Sequence, residues 1–158
     1  MFLFKRYLLH IIISICILLP IFCLGQIKKY SFAEIDSLQK IEKRSMIVFV
    51  HTNWCKYCAG MNSTTFKNED IIKKVNEDFY FIELNAEEKK NITFNGYTFK
   101  FKQTGNNTGL HELAEQLGTW ENEITFPTLC FLNDHYEIIY HLKDYVKAKD
   151  LSVILNLL

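Results

Sequence analysis

Apolar residues change their spacing several times along this chain. Phe32, Ile35, Leu38 and Ile41 recur at helical intervals behind Ser31-Phe32-Ala33-Glu34, which has the S-x-x-E form of a capping box, and predict a helix from about Phe32 to Lys43. Met46 to Val50 is a continuous apolar run, as in a strand buried on both faces. Asn68 is placed to cap a helix reaching about Asp78, with Ile71, Ile72 and Val75 inward, and Phe79 to Leu84 reads as a second strand. Helix, strand, helix, strand in that order favours a layered α/β domain with parallel strands.

The pattern changes between Glu87 and Gly109. Ile92 to Phe94 and Tyr97 to Phe99 flank Asn95-Gly96, and both central residues of the tight hairpin turn need positive φ, so an inserted β-hairpin is predicted near residues 91–102. Its aromatics, Phe94, Tyr97, Phe99 and Phe101, are expected to cover the sheet or the hairpin's own face, a partner surface being the alternative. Thr104 to Thr108 reads as a loop and Leu110 to Leu117 as a short helix. Thr128 to Leu132 and Glu137 to His141 form a hairpin about Asn133-Asp134, and Val146 to Leu157 a closing amphipathic helix.

The N-terminus stands apart. Lys5-Arg6 precede an uncharged stretch from Tyr7 to Leu24 that leads to Gly25-Gln26, the layout of a secretory signal. Its uninterrupted hydrophobic run, Ile11 to Leu24, which includes Ser14 and a late Pro20, is 14 residues long, short of the roughly 20 that span a bilayer. The expected division is therefore a signal peptide over residues 1–25, cleaved near Gly25 or retained as an N-terminal anchor, followed by one domain over 26–158. Cys23 raises a lipoprotein reading, which the bulky Phe22 before it disfavours. The full chain has 18 basic and 18 acidic residues; without Lys5 and Arg6 it keeps 16 basic against 18 acidic. That balance predicts no nucleic-acid partner, and membrane association only if the N-terminal segment is retained.

With Cys16 and Cys23 assigned to the leader, Cys55, Cys58 and Cys130 remain, too few for a disulfide scaffold. Cys55 follows the strand of Met46 to Val50 and opens the next helix, where unpaired backbone N–H groups and the helix dipole favour thiolate. Cys58 lies one helical turn on, in reach of a mixed disulfide at Cys55. Lys56 adds a positive charge. Half of a structural zinc site is the bland alternative, but Cys130 and His51, His111, His135 and His141 offer no second pair at ligand spacing, so neither metal nor cofactor is expected. Cys130, between Leu129 and Phe131, is expected to be buried and inert. His51 reads as a partly exposed strand-end histidine, with tuning of Cys55 the sharper alternative. Glu87-Glu88-Lys89-Lys90 reads as a solvated turn, with a substrate-docking rim the alternative.

The segment Val48-Phe49-Val50-His51-Thr52-Asn53-Trp54-Cys55-Lys56-Tyr57-Cys58 resembles the active-site strand and loop of the thioredoxin superfamily, and Thr125-Phe126-Pro127-Thr128-Leu129 resembles its cis-proline segment. With the leader, the motif is most similar to exported thioredoxin-related proteins of bacteria. The resemblance implies an α/β thioredoxin-like fold, a central mixed sheet flanked by helices, carrying the inserted hairpin. It implies Cys55 as nucleophile, Cys58 as resolving thiol and Trp54 packed under the motif. Pro127 would be cis, with the Phe126 backbone offered to an extended client, and Lys56 and Tyr57 would complete the client-binding surface.

Two positions depart from that pattern. Phe49 stands where thioredoxins bear a buried aspartate that serves the resolving cysteine, and Glu83 where many relatives bear a lysine. A carboxylate on the neighbouring strand is thus a candidate proton acceptor for Cys58; snorkelling of Glu83 to water is the alternative. The motif's inner dipeptide, Lys56-Tyr57, lacks the histidine of oxidising relatives. The implied function is a thiol–disulfide oxidoreductase, exported to the periplasm or envelope, reducing protein disulfides and exchanging electrons with a redox partner protein. A non-catalytic thioredoxin-like binding or assembly module is the alternative.

Overall fold

A computed structural model describes residues 25–106 and 108–158, so Cys16 and Cys23 of the leader lie outside what is described and the expected cleavage point near Gly25 lies at its border. Among the described residues no helix is long and apolar enough to cross a membrane.

The chain enters through a short strand, β1 (Lys29–Tyr30), and passes into helix α1 (Phe32–Ile41). The Ser31 N–H and hydroxyl both donate to Glu34 Oε2, at 2.8 and 2.6 Å, which ties the first turn as the S-x-x-E pattern predicts. Strand β2 (Ser45–His51) follows, then α2 (Lys56–Ser63), a single 3₁₀ turn and α3 (Glu69–Asp78). Asn68 Oδ1 accepts the Ile71 N–H at 3.1 Å and starts α3. Strand β3 (Phe79–Asn85) returns beside β2.

The crossover from β3 back to the sheet is elaborate. It contains the hairpin β4 (Ile92–Phe94) and β5 (Tyr97–Phe99), a second hairpin β6 (Phe101–Gln103) and β7 (Gly109–His111), helix α4 (Glu112–Gly118), and a small hairpin β8 (Thr119–Trp120) and β9 (Glu123–Ile124). Strands β10 (Thr128–Leu132) and β11 (Ile138–Lys143) and helix α5 (Ala148–Leu155) complete the domain.

The central sheet has the order β1-β3-β2-β10-β11. β1, β3 and β2 run parallel, and β10 is antiparallel to both β2 and β11, so the sheet is mixed. Alternation along β2 sends its side chains to two cores. Ile47 and Phe49 join Phe81, Leu129 and Phe131 under α2, α3 and α5. Met46, Val48 and Val50 join Ile82, Leu84 and Cys130 under α1 and α4. Central strands covered on both faces explain why β2 reads as an unbroken apolar run.

Asn95 and Gly96 carry φ of 50° and 78°, the left-handed turn that the Asn-Gly pair predicts. Phe94 turns inward, 4% exposed, with its ring edge-on to Phe32 at 5.0 Å and to Tyr136 at 5.3 Å. Beyond this hairpin the chain departs from the helix expected over Leu110 to Leu117. Residues 109–111 are a strand, and α4 begins only at Glu112, because His111 Nδ1 accepts the Leu113 N–H at 3.2 Å and so caps the helix from position 111. The β6–β7 and β8–β9 hairpins were not predicted. At its base the crossover is closed by Ala86, whose N–H donates to His51 O and whose carbonyl accepts the His111 N–H, both at 2.8 Å.

Candidate active site

Thr52 to Cys55 form the turn that carries the chain from the C-terminal end of β2 into α2, with the Cys55 N–H donating to Thr52 O at 3.3 Å. Cys55 is the N-cap residue of α2 and its Sγ takes the Cys58 N–H at 3.0 Å. The two cysteines are joined as a disulfide with Cα atoms 5.2 Å apart. Cys55 is 6% and Cys58 2% exposed, so both sulfurs sit at the edge of the core, within the cluster that contains Phe49, Met61 and Phe66.

An aromatic rim surrounds the pair. Trp54 does not pack under the motif: it is 66% exposed, edge-on to Phe126 with centroids 6.0 Å apart, and its Nε1–H donates to Glu87 Oε1 at 3.1 Å. These two partners hold the indole outward. Lys56 and Tyr57 occupy the first turn of α2 and are exposed. Phe126 is half-buried, Pro127 is buried, and the peptide bond between them is cis. Thr128, the next residue, pairs with Val50 across the sheet, which fixes this segment beside the end of β2. Glu87, read from sequence as part of a solvated turn, thus reaches the rim.

Beneath the pair the side chains differ from what the aspartate position would supply. Phe49 is fully buried, edge-on to Phe66 at 5.0 Å. His51 follows on the same face of β2 and stacks on Phe49, centroids 5.4 Å apart. Glu83 is the register partner of Phe49 on β3 and shares that face with Phe81. Its Oε1 lies 2.7 Å from Lys29 Nζ on β1. That contact is an ion pair at an oxygen shut off from solvent. Burial pushes the His51 imidazole below its ordinary value, while Glu83 and the Thr52 backbone pull it up and Lys29 pushes it down. Cys130, on the opposite face of the sheet, is fully buried, and burial pushes its thiol up to about 12. It shares no surface with the pair. Among the described residues no three His, Cys, Asp or Glu side chains gather as a metal site.

A cysteine pair spanning the first turn of a helix at the end of a parallel strand, beside a proline segment entering the adjacent antiparallel strand, defines a thioredoxin-like fold with a CxxC pair. The chain belongs to the Thioredoxin-like domain family, which it matches over residues 32–158. It is similar to the solved structure of the DsbH oxidoreductase, at 14% identity and a TM-score of 0.58, covering 87% of this chain and 88% of that one. A thioredoxin from Thermus thermophilus is similar at 18% identity and a TM-score of 0.58, over 84% and 86% of the two chains. The reduced C-terminal domain of DsbD from Neisseria meningitidis is similar at 15% identity and a TM-score of 0.52, over 79% and 90%. At these identities the likeness is one of fold. Among curated proteins none matches the chain.

Proposed function

We propose that this protein is a thiol–disulfide oxidoreductase that reduces protein disulfides through a Cys55/Cys58 dithiol. The observation that carries the reading is the placement of Cys55 as N-cap of α2 with the Cys58 N–H directed at its sulfur. In the reduced protein that N–H and the helix dipole would favour thiolate at Cys55 over Cys58. Cys55 attacks a client disulfide and forms a mixed disulfide. Cys58 then attacks Cys55 Sγ, and the client leaves as a dithiol. Trp54, Lys56, Tyr57 and Phe126 form the client-facing rim, and Pro127 presents the Phe126 backbone to an extended segment. Glu83 supplies a carboxylate on the Cys58 side of the sheet.

A single redox pair and a motif without histidine favour reduction, with electrons returned by a dithiol partner protein. The charge and hydropathy pattern of residues 1–25 supports export, either as a cleaved leader or as an anchor holding the domain in the envelope. The rival reading, a client-gripping aromatic hairpin, has less to stand on: Phe94 is buried, and of the four aromatics of residues 94–101 only Tyr97 is largely exposed.

Equilibration in glutathione buffers followed by thiol trapping tests the activity. Cys55 and Cys58 are expected to interconvert reversibly as a pair. Cys58→Ser is expected to accumulate a mixed disulfide with a peptide disulfide and Cys55→Ser none, because only the latter lacks the attacking thiolate. Equal adducts from both variants, or a pair that never cycles, would refute the reading.

A further inference from the structure

Resolution of a mixed disulfide requires Cys58 to lose a proton, and the position that serves this purpose in the resembling family holds Phe49, which has none to give or take. Cys58 is 2% exposed, so bulk water has poor access to its thiol. The groups that can exchange a proton on this face of the sheet are few. From β2 there is His51, stacked on Phe49; from β3, Glu83, the register partner of Phe49; from β1, Lys29, paired with Glu83. On α2, Lys56 and Tyr57 point to solvent.

We infer that His51 is the proton acceptor for Cys58 during resolution, and that Glu83 is its positioning partner. Three observations carry this. His51 stands at the end of β2, four positions before Cys55, on the Phe49 side that also holds both cysteines. The Ala86 N–H bonded to its carbonyl holds the backbone at that position, and the stack on Phe49 limits the ring. Glu83, the register partner of Phe49, shares this face of the sheet while its Oε1 pairs with Lys29, and its charge favours the imidazolium. A histidine whose protonated form is opposed by burial and supported by one carboxylate is neutral at rest and able to accept.

The step balances without a further reagent. The Cys58 thiol gives its proton to an imidazole nitrogen, and the Cys58 thiolate attacks Cys55 Sγ. The Cys55–Cys58 bond forms as the bond between Cys55 and the client sulfur breaks. The client sulfur leaves as thiolate and is reprotonated by His51 or water. Two electrons have passed from the dithiol to the client disulfide.

This inference rests on the proposed activity, so its test must separate the two. The reduced protein is mixed with an aromatic disulfide that releases one chromophoric thiolate on attack by Cys55 and a second on resolution by Cys58. Two phases in the wild type establish the exchange chemistry; their absence would overturn the activity itself and this role with it. His51→Gln is expected to leave the first phase at the wild-type rate and to slow the second by about tenfold or more near pH 7. In Glu83→Gln the second phase is expected to survive with its pH inflection moved to lower pH, because the group that favours imidazolium is gone and Lys29 is freed to oppose it. An unchanged second phase and pH profile in His51→Gln, with the first phase intact, overturns the role of His51 and leaves the oxidoreductase standing. If His51→Gln also loses the first phase through misfolding, the Glu83→Gln profile decides: a displaced inflection supports His51 and an unmoved one overturns it.

Discussion

His111 offers a stability measurement that isolates one buried group. It has no exposed surface, sits as N-cap of α4, and uses both ring nitrogens: Nδ1 accepts the Leu113 N–H at 3.2 Å, and Nε2 lies 3.2 Å from Lys90 O. Those partners fix the neutral tautomer with its proton on Nε2. Replacing His111 by Leu removes both bonds. Leu113 is 1% exposed, so its N–H is stranded, which costs about 1–3 kcal/mol, whereas the carbonyl of exposed Lys90 finds water and costs at most about 1 kcal/mol. The expected loss is about 2–3 kcal/mol. His111→Asn restores an acceptor at the cap and should lose about 1 kcal/mol.

The pH dependence has a definite sign. Burial lowers the His111 pKa from its ordinary 6.5, with the Lys90 bond, Glu112 and Glu88 opposing. The unfolded chain therefore binds the proton first as pH falls. The stabilisation from neutral His111 is whole above 6.5 and is lost below it, with a slope of at most about 1.4 kcal/mol per pH unit, until the folded value is reached. Urea titrations of wild type and His111→Leu at about pH 8 and about pH 5 should show a gap that shrinks on acidification. His51 titrates in both proteins and cancels in the difference. A gap that stays constant, or widens in acid, would refute the buried neutral assignment.

Alkylation of the reduced native protein at mildly acidic pH should modify Cys55 first and spare Cys130 until denaturant is added, since Cys130 is inaccessible and its thiol is pushed up to about 12; early labelling of Cys130, or of Cys58 before Cys55, would contradict the placement, and peptide mass mapping reads it directly. Gly109→Ala should destabilise the fold by about 1–3 kcal/mol, because a Cβ there runs into the Phe101 ring and the Lys102 carbonyl. The Cys55–Cys58 equilibrium should be untouched by that change, and an unmoved urea midpoint would show that the β6–β7 hairpin yields at no cost.

Most of the central sheet could be read from the chain because its strands are buried on both faces and its helices carry local start signals. Ser31 with Glu34, Asn68 before Ile71, and Asn95-Gly96 each act within a few residues, so their structural effects are visible in sequence. The failures have the opposite character. Phe101-Lys102-Gln103 and Gly109-Leu110-His111 are too short to show alternation, and Leu110, Leu113 and Leu117 imitate one helix face although His111 interrupts it. The outward stance of Trp54 depends on Phe126 and Glu87, which only the folded chain brings near. The Lys29–Glu83 pair requires the order β1-β3-β2, which no local pattern encodes. Cys55 and Cys58 were legible because a helix start and a three-residue spacing are local properties. The surroundings that would set their proton chemistry are assembled from three strands.

The clasp at Ala86 has a consequence for how this domain can vary. One residue bonds the end of the active-site strand on one side and the return of the crossover on the other, so residues 87–110 hang as a loop whose two ends are already joined. The segment between them can lengthen, shorten or exchange its hairpins while the distance across its base stays fixed. Phe94, sunk beside Phe32, anchors it in the core, with Ile92, Phe99 and Leu110 packed against the same cluster. A stem of this kind separates the geometry of the cysteine pair from the surface of the crossover, and Glu87, the first residue past the clasp, touches the rim through Trp54.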